Sequence, residues 1–440
     1  MCNMKYDVIR SYWPAPIYDT AKLNLDFTTG TLDSRLTFTR SGTGTYINSS
    51  GYVTTASTNV ARFDYDPTTP APRGLLIEGS AINYMLYSTA LDPHTALGMR
   101  TISTASITDP EGTDTLARII AADASTGSHA RFRFATAGTN TTVTVSIFAK
   151  KNGYKYLYLS DGSNGLGAAR FDLDDGSIST TGGTGFVSAK TTAHPEGWWR
   201  CSIVVNVTAS TNYAWAYVGV PTLGVTFTSY NAAYTGENLD DKGIYCYGFQ
   251  VEGGAGASSY IPTVASQVTR NADFLLSASS SGSGRTTEFS FDDLAPGTSA
   301  LDEYTVLWVY GRDPNSKRQY PASLYARTNS NTKRVDLRDF TGTTVEAGTQ
   351  TRSVQTRNIG TASIAKVALA QNTSAYPSSA VNGTSATLTS GTIDSALGLQ
   401  WVQLGNSSAV GSSFNAIWAR QLKLYPTQLS AAQLQTLTAP

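Results

Sequence analysis

Acidic side chains are the first place to look for chemistry in this chain. Glycoside hydrolysis needs two carboxylates facing across a cleft, roughly 5–9.5 Å apart. The adjacent acids Asp240 with Asp241 and Asp292 with Asp293 stand in turn-like contexts, and the strand-borne Glu252 and Glu288 have nothing around them that marks an acid/base pair. There is no GxSxG elbow and no HExxH, and His94, His129 and His194 are scattered among loop signals, which argues against a nucleophilic triad or a zinc protease. Gly42 and Gly44 begin a GxG without a third glycine, so no phosphate loop forms there. DLDDG at 172–176 could offer oxygens to calcium. Its plainer reading is a hairpin turn, since Asp-Gly supplies the positive φ angles a tight turn demands. Metal ligands are therefore unknown, no cofactor is expected, and a structural calcium elsewhere is left open and unassigned.

Aromatic side chains are the second candidate chemistry, because flat rings suit the apolar C–H faces of sugars. GWWRCSI at 197–203 puts Trp198 and Trp199 on successive positions, so in a strand one faces in and the other out. Tyr213, Trp215 and Tyr217 alternate along another run and are the candidate carbohydrate-binding platform. The competing reading is that such a run is the buried face of a sandwich, and it applies equally to Tyr154, Tyr156 and Tyr158. If both runs are core, sugars must bind through loops.

The elements that position these residues are strands. Period-two alternation of β-branched and aromatic residues, closed off by Gly, Asn, Asp and Ser, recurs at 143–148, 154–159, 202–207, 213–218 and 305–309. Helical signal is confined to the last dozen residues. There Ser430 and Gln433 have capping-box spacing, and Leu434 and Leu437 share a face.

A chain of 440 residues exceeds what one core can serve, so two or three domains are expected. Charged residues make up only 15% of it, with Lys plus Arg equal to Asp plus Glu at 32 each, so there is no field to draw in nucleic acid or an anionic membrane. Cys2, Cys201 and Cys246 show no CxxC spacing, and Cys201 and Cys246 read as small buried hydrophobes. No apolar run approaches the 18 residues of a membrane span, and synthesis in a bacterial cytoplasm without membrane insertion is expected.

Residues 1–79 carry Pro14, Pro16, Pro67, Pro70 and Pro72 and read as an irregular docking segment, with Tyr6, Tyr12 and Trp13 as its candidate contacts. A strand-rich module spans 80–271, a Ser/Gly-rich linker 272–284, and a second strand-rich module 285–440. The fold class is all-β: two β-sandwich, jelly-roll-type domains preceded by an extended, irregular anchoring segment.

Several motifs in one order carry a family resemblance. They are FTRSGTGTYINSSGYVTTASTNVARFDYDP at 38–67, RGLLIEGSAINYMLYS at 73–88, DPEGTDTLARI at 109–119, RFDLDDGSI at 170–178, GWWRCSI at 197–203 and YGFQVEGGAGASSYIPTVASQVTRNAD at 247–273. Together they resemble the phage head-spike and tail-fibre group, including spikes of phage-derived gene transfer agents, whose preamble precedes a carbohydrate-binding-like jelly roll. AVNGT at 380–384 and AIWARQLKLYPTQLSAAQLQTLTA at 416–439 resemble a concanavalin A or laminin G type sandwich. The resemblance implies a non-enzymatic structural protein at the virion surface that contacts host surface polysaccharide. It also implies assembly with itself, as a trimer or pentamer, and with other capsid or tail proteins. A head spike is favoured slightly over a tail fibre, because the chain has no long repetitive shaft. A capsule depolymerase and a purely architectural subunit are the alternatives.

Overall fold

In the computed structural model, residues 23–89, 107–113, 142–153, 155–160, 167–207, 243–277, 378–387, 417–425 and 428–439 are described throughout, and elsewhere the strands named below. The chain is all-β, and every strand pairing among the described residues is antiparallel.

The central sandwich packs two six-stranded sheets. One runs in the order Phe186–His194, Trp198–Asn206, Thr142–Asn152, Gly243–Gly253, Arg118–Ala122, Met99–Ser103. The other runs Ile178–Gly182, Ala168–Asp172, Tyr156–Ser160, Trp215–Gly219, His129–Arg133, Ala96–Leu97. Alternation explains the core. Val143, Val145 and Ile147 of the first sheet meet Leu157, Leu159 and Phe171 of the second, together with Cys201, Ile203 and Cys246. Each such side chain contributes roughly 1.5–3 kcal/mol by leaving water. Both cysteines are free and buried as expected, and burial pushes their thiols up. The strand Thr142–Asn152 is buried on both faces over most of its length, so its outer side must also be covered.

Val53 and Tyr260 pack on Phe148 there, and the segment that supplies Val53 corrects the expected layout. The segment up to residue 79 does not stand apart as an irregular anchor. Leu23–Asp26 pairs with Ile417–Tyr425, which pairs in turn with Pro72–Ile77, and Pro72–Ile77 with Arg62–Tyr65. These strands complete an eight-stranded sheet with Gly284–Asp293, Ile364–Asn372, Ser378–Val381 and Thr384–Thr387. Leu36–Thr39 likewise joins Phe274–Ser277 in a seven-stranded sheet with Gly398–Gly405, Glu303–Arg312, Gln319–Asn329, Thr332–Asp339 and Arg352–Gly360. The C-terminal sandwich is thus assembled from both ends of the chain, and the central sandwich is inserted between them. Prolines allowed this because they fall at strand margins: Pro72 opens its strand, and Pro67 and Pro70 lie in the preceding turn. The expected linker at 272–284 also begins as structure, since Asp273 and Leu275 are buried. Asp292 and Asp293 end a strand rather than form a turn.

Local signals elsewhere hold. Gly176 sits at φ +74°, and its N–H donates to the Asp172 carbonyl, closing the DLDDG hairpin turn, while Lys155 pairs with the Asp172 carboxylate at 2.7 Å. Asn382 and Gly383, both at positive φ, turn Ser378–Val381 into Thr384–Thr387. Ser430 and Gln433 form the capping box of the helix Ala431–Leu437, which buries Leu434 and Leu437.

The motif residues of the preamble serve a buried ion network. Arg62 spans Glu78 (2.6 Å) and Asp273, Arg40 reaches Asp273 at 3.1 Å, and Arg270 lies 3.5 Å from Glu78. The Ser259 hydroxyl and N–H both donate to Glu78, and the Glu78 N–H donates to Asp273. Burial alone would raise the Glu78 carboxyl, but Arg270, Arg62 and the Ser259 hydrogen bonds outweigh it and hold it at about 2. An acid whose folded value lies below its ordinary 4.5 stabilises the fold above that value and loses the contribution as pH falls toward about 2. Urea unfolding from about pH 5 to 2.5 is therefore expected to show a falling stability limb that Glu78→Gln flattens. An unchanged limb in the variant would assign the acid sensitivity to other groups.

Candidate functional site

The outer face of the first central sheet is not fully filled. Arg200, Ser202 and Val204 alternate there with the core-facing Cys201 and Ile203, and together with Phe148 and residues 188–192 they form one wall of a cavity of about 630 Å³. Thr45, Tyr46, Ile47 and Val53 of the preamble hairpin form a second wall, and residues 255–260 form a third. Asp64, Arg73, Leu76 and Trp418 close it from the C-terminal sandwich. The cavity therefore lies where the two sandwiches meet, and its size is that of a small-molecule site.

Asp64 is positioned from both sides. Its carboxylate accepts from the Ile47 N–H and, at 2.7 Å, from the Trp418 indole N–H, while burial lifts it to about 6 against the pull of these bonds. Arg73 lies over the Trp418 ring, 4.5 Å from its centroid, and pairs with Asp66 at 2.8 Å. Arg200 is over Phe148 at 5.4 Å, and its guanidinium reaches the Ser146 hydroxyl at 3.4 Å, but its Nε is buried without a hydrogen-bond partner. The Nδ1 of His194 is in the same condition, in a side chain with 7% exposure, and burial with the nearby Arg200 charge drops that imidazole to about 3. His194 is thus neutral at physiological pH.

The cavity combines ring faces with charged and hydroxyl groups, a mixture that can bind a polar ligand having apolar patches. Asp64 is the one carboxylate in its lining among the described residues. That gives no facing acid pair for glycoside hydrolysis at this place. Glu252 is buried on its strand, bound by Gln250 and Ser258, and raised chiefly by burial. The side chain of Glu288 lies outside the described residues, as do Asp240 and Asp241. Among the described residues no group of three or more His, Cys, Asp or Glu could hold a metal ion.

Few of the expected site residues converge here. Tyr6, Tyr12, Trp13 and Tyr213 lie outside the described residues. Trp215 and Tyr217 belong to the other central sheet, with only their backbone described. Register puts Tyr217 opposite Ser160, and on the neighbouring strand Tyr156 and Tyr158 are half-buried while Leu157 and Leu159 are buried. The expectation that these alternating tyrosines line the core is reversed for Tyr156 and Tyr158, whose intervening leucines do so instead. Trp198 and Trp199 are both used structurally. Trp198 packs with Phe148, Tyr247 and Tyr260 under the preamble, and Trp199 lies against the core, where its N–H donates to the Leu173 carbonyl at 3.0 Å. The cavity residues Asp64, Arg73, Arg200, His194 and Trp418 carried one usable signal: Arg200 faces the side of its strand opposite Cys201 and Ile203. A polar residue there reads equally as solvent-facing, and the covering preamble was not foreseeable.

Fold and site together define an all-β, two-sandwich protein with a polar and aromatic cavity at the joint. No family model and no curated protein matches the chain. Among solved structures it is similar to the receptor-binding domain of a botulinum neurotoxin C/D mosaic serotype, with 13% identity over 38% of this chain and 40% of that one at a TM-score of 0.24. It is also similar to the NanB sialidase of Streptococcus pneumoniae, with 17% identity over 36% and 25% at 0.24. The sialidase of Trypanosoma rangeli in complex with sialic acid gives 10% identity over 80% and 55% at 0.23. The chain spans less than two thirds of the length of each of these proteins, and similarity at this level leaves function to the chain's own residues.

Proposed function

We propose that the protein is a non-enzymatic structural subunit of the virion surface, a spike or fibre that contacts host glycans, with the joint cavity as its sugar-contacting site. The observation that carries this reading is the lining itself. Tyr46 offers a partly exposed ring backed by the buried Phe148, Trp418 and Tyr260, Arg73, Arg200 and several Ser and Thr offer donors, and among the described residues a single hydrogen-bonded carboxylate accompanies them. That composition suits holding a saccharide, and among the described residues the lining holds no second acid of the kind that cutting it requires. The phage-like motifs of the preamble support the virion setting, and residues 1–22, which precede the first described strand, are the proposed docking segment toward capsid or tail proteins. Self-association as a trimer or pentamer, with a head spike ahead of a tail fibre, completes the proposal.

The test is to pass the full chain over immobilised host surface polysaccharide and to assay the eluate for new reducing ends. Retention without new ends is the expected result. Release of oligosaccharide would make the protein a depolymerase, and absence of retention would leave an architectural subunit.

A further inference from the structure

We infer that the joint cavity selects an acidic saccharide, its carboxylate set against Arg200 with Arg73 and Lys190 contributing charge. This rests on the glycan-contact reading and specifies its ligand class. Among the described residues, three cationic side chains line the cavity, Arg73, Lys190 and Arg200, against one acid, Asp64. Asp64 is already committed, with one oxygen accepting from Ile47 and the other from Trp418. Arg73 is partly neutralised by Asp66. Arg200 has no ion pair among the described residues, and its nearest hydrogen-bond acceptor is a neutral serine hydroxyl at 3.4 Å.

Two buried groups on the lining, Arg200 Nε and His194 Nδ1, make no hydrogen bond within the protein. Leaving buried polar atoms unpaired costs free energy, and such atoms mark places where a bound group supplies the missing partner. For a guanidinium, the matching partner is a planar carboxylate, which accepts two parallel N–H bonds. The neutral imidazole of His194 can add a hydrogen bond to a sugar hydroxyl, which both donates and accepts. The partly exposed ring of Tyr46 meanwhile can cover the apolar C–H face of the sugar. A neutral sugar would offer the Arg200 guanidinium no carboxylate and leave its buried Nε without a charged acceptor, which sets the direction of selectivity.

The experiment titrates the full chain with a galacturonic acid trimer and with the uncharged galactose trimer, following binding by calorimetry. The acidic trimer is expected to bind at least tenfold more tightly. Arg200→Gln should erase most of that difference, and Arg200→Lys should restore part of it. Lys190 is exposed, so Lys190→Gln keeps the fold intact and is expected to weaken the acidic trimer by roughly two- to fivefold. Equal affinity for both trimers, or a preference unmoved by Arg200→Gln in a folded variant, would overturn the inference. Retention on host polysaccharide without binding of the acidic trimer would overturn it too, yet leave the glycan reading standing. Failure of host polysaccharide and both trimers alike would remove both.

Discussion

Asp273→Asn is expected to lower the free energy of unfolding by about 3–5 kcal/mol, the usual cost of removing one partner from a buried ion network. The carboxylate is fully buried and bridges Arg40 to Arg62, both fully buried as well. It also accepts the N–H of Glu78. Its loss leaves three arginines against Glu78 alone. Because a domain is stable by only ~5–15 kcal/mol in total, the change is a large fraction of the reserve and is readable as a shifted urea midpoint. Asp33→Asn is the control: that acid pairs with Arg35 on the exposed surface, and no measurable shift is expected. Equal, small effects of the two substitutions would mean that the network is not the clamp that joins the preamble to the strands after residue 270.

The second large effect falls on Gly74. This residue sits at φ +119°, and a Cβ there would come 2.2 Å from the carbonyl oxygen of Ala419. Gly74→Ala therefore combines a disfavoured backbone conformation with a clash against backbone that cannot swing aside, for a loss of about 2–5 kcal/mol. The damage should be local. Leu75 and Leu76 pair with Ala419 and Trp418, so hydrogen exchange is expected to accelerate in residues 417–425 before the core strands of the central sandwich open. Gly42→Ala separates the two causes. Gly42 is at φ +81° but has open space where a Cβ would stand, so only the smaller conformational cost of about 1–2 kcal/mol should appear. If Gly74→Ala is as mild as Gly42→Ala, the seam between the preamble and the C-terminal strand is not tightly packed.

The contrast between local and long-range features explains what the sequence made legible. Alternation in TVTVSIF at 142–148 and the capping box at Ser430 are written in neighbouring residues, and both appear in the structure where they were read. The DLDDG and AVNGT turns are equally local. The origin of the C-terminal sandwich was not legible, because it rests on pairings such as Leu23 with Leu424, some four hundred residues apart, for which no short-range pattern exists. Pro67, Pro70 and Pro72 suggested irregularity, yet they punctuate strands that other parts of the chain complete. The same distance hid the cavity: Asp64 and Trp418 are joined by a hydrogen bond across 354 positions. Arg40, Arg62, Glu78, Arg270 and Asp273 stand in recognisable motifs, but nothing local in those motifs shows that the fold buries and pairs them.

The virion assignment is tested most directly by imaging assembled particles at a resolution that resolves this chain. The proposed spike or fibre role predicts both sandwiches projecting outside the shell, with residues 1–22 seated against a capsid or tail neighbour and the joint cavity open to the exterior. Particles that lack the chain altogether, or that bury the cavity inside the shell, would contradict it.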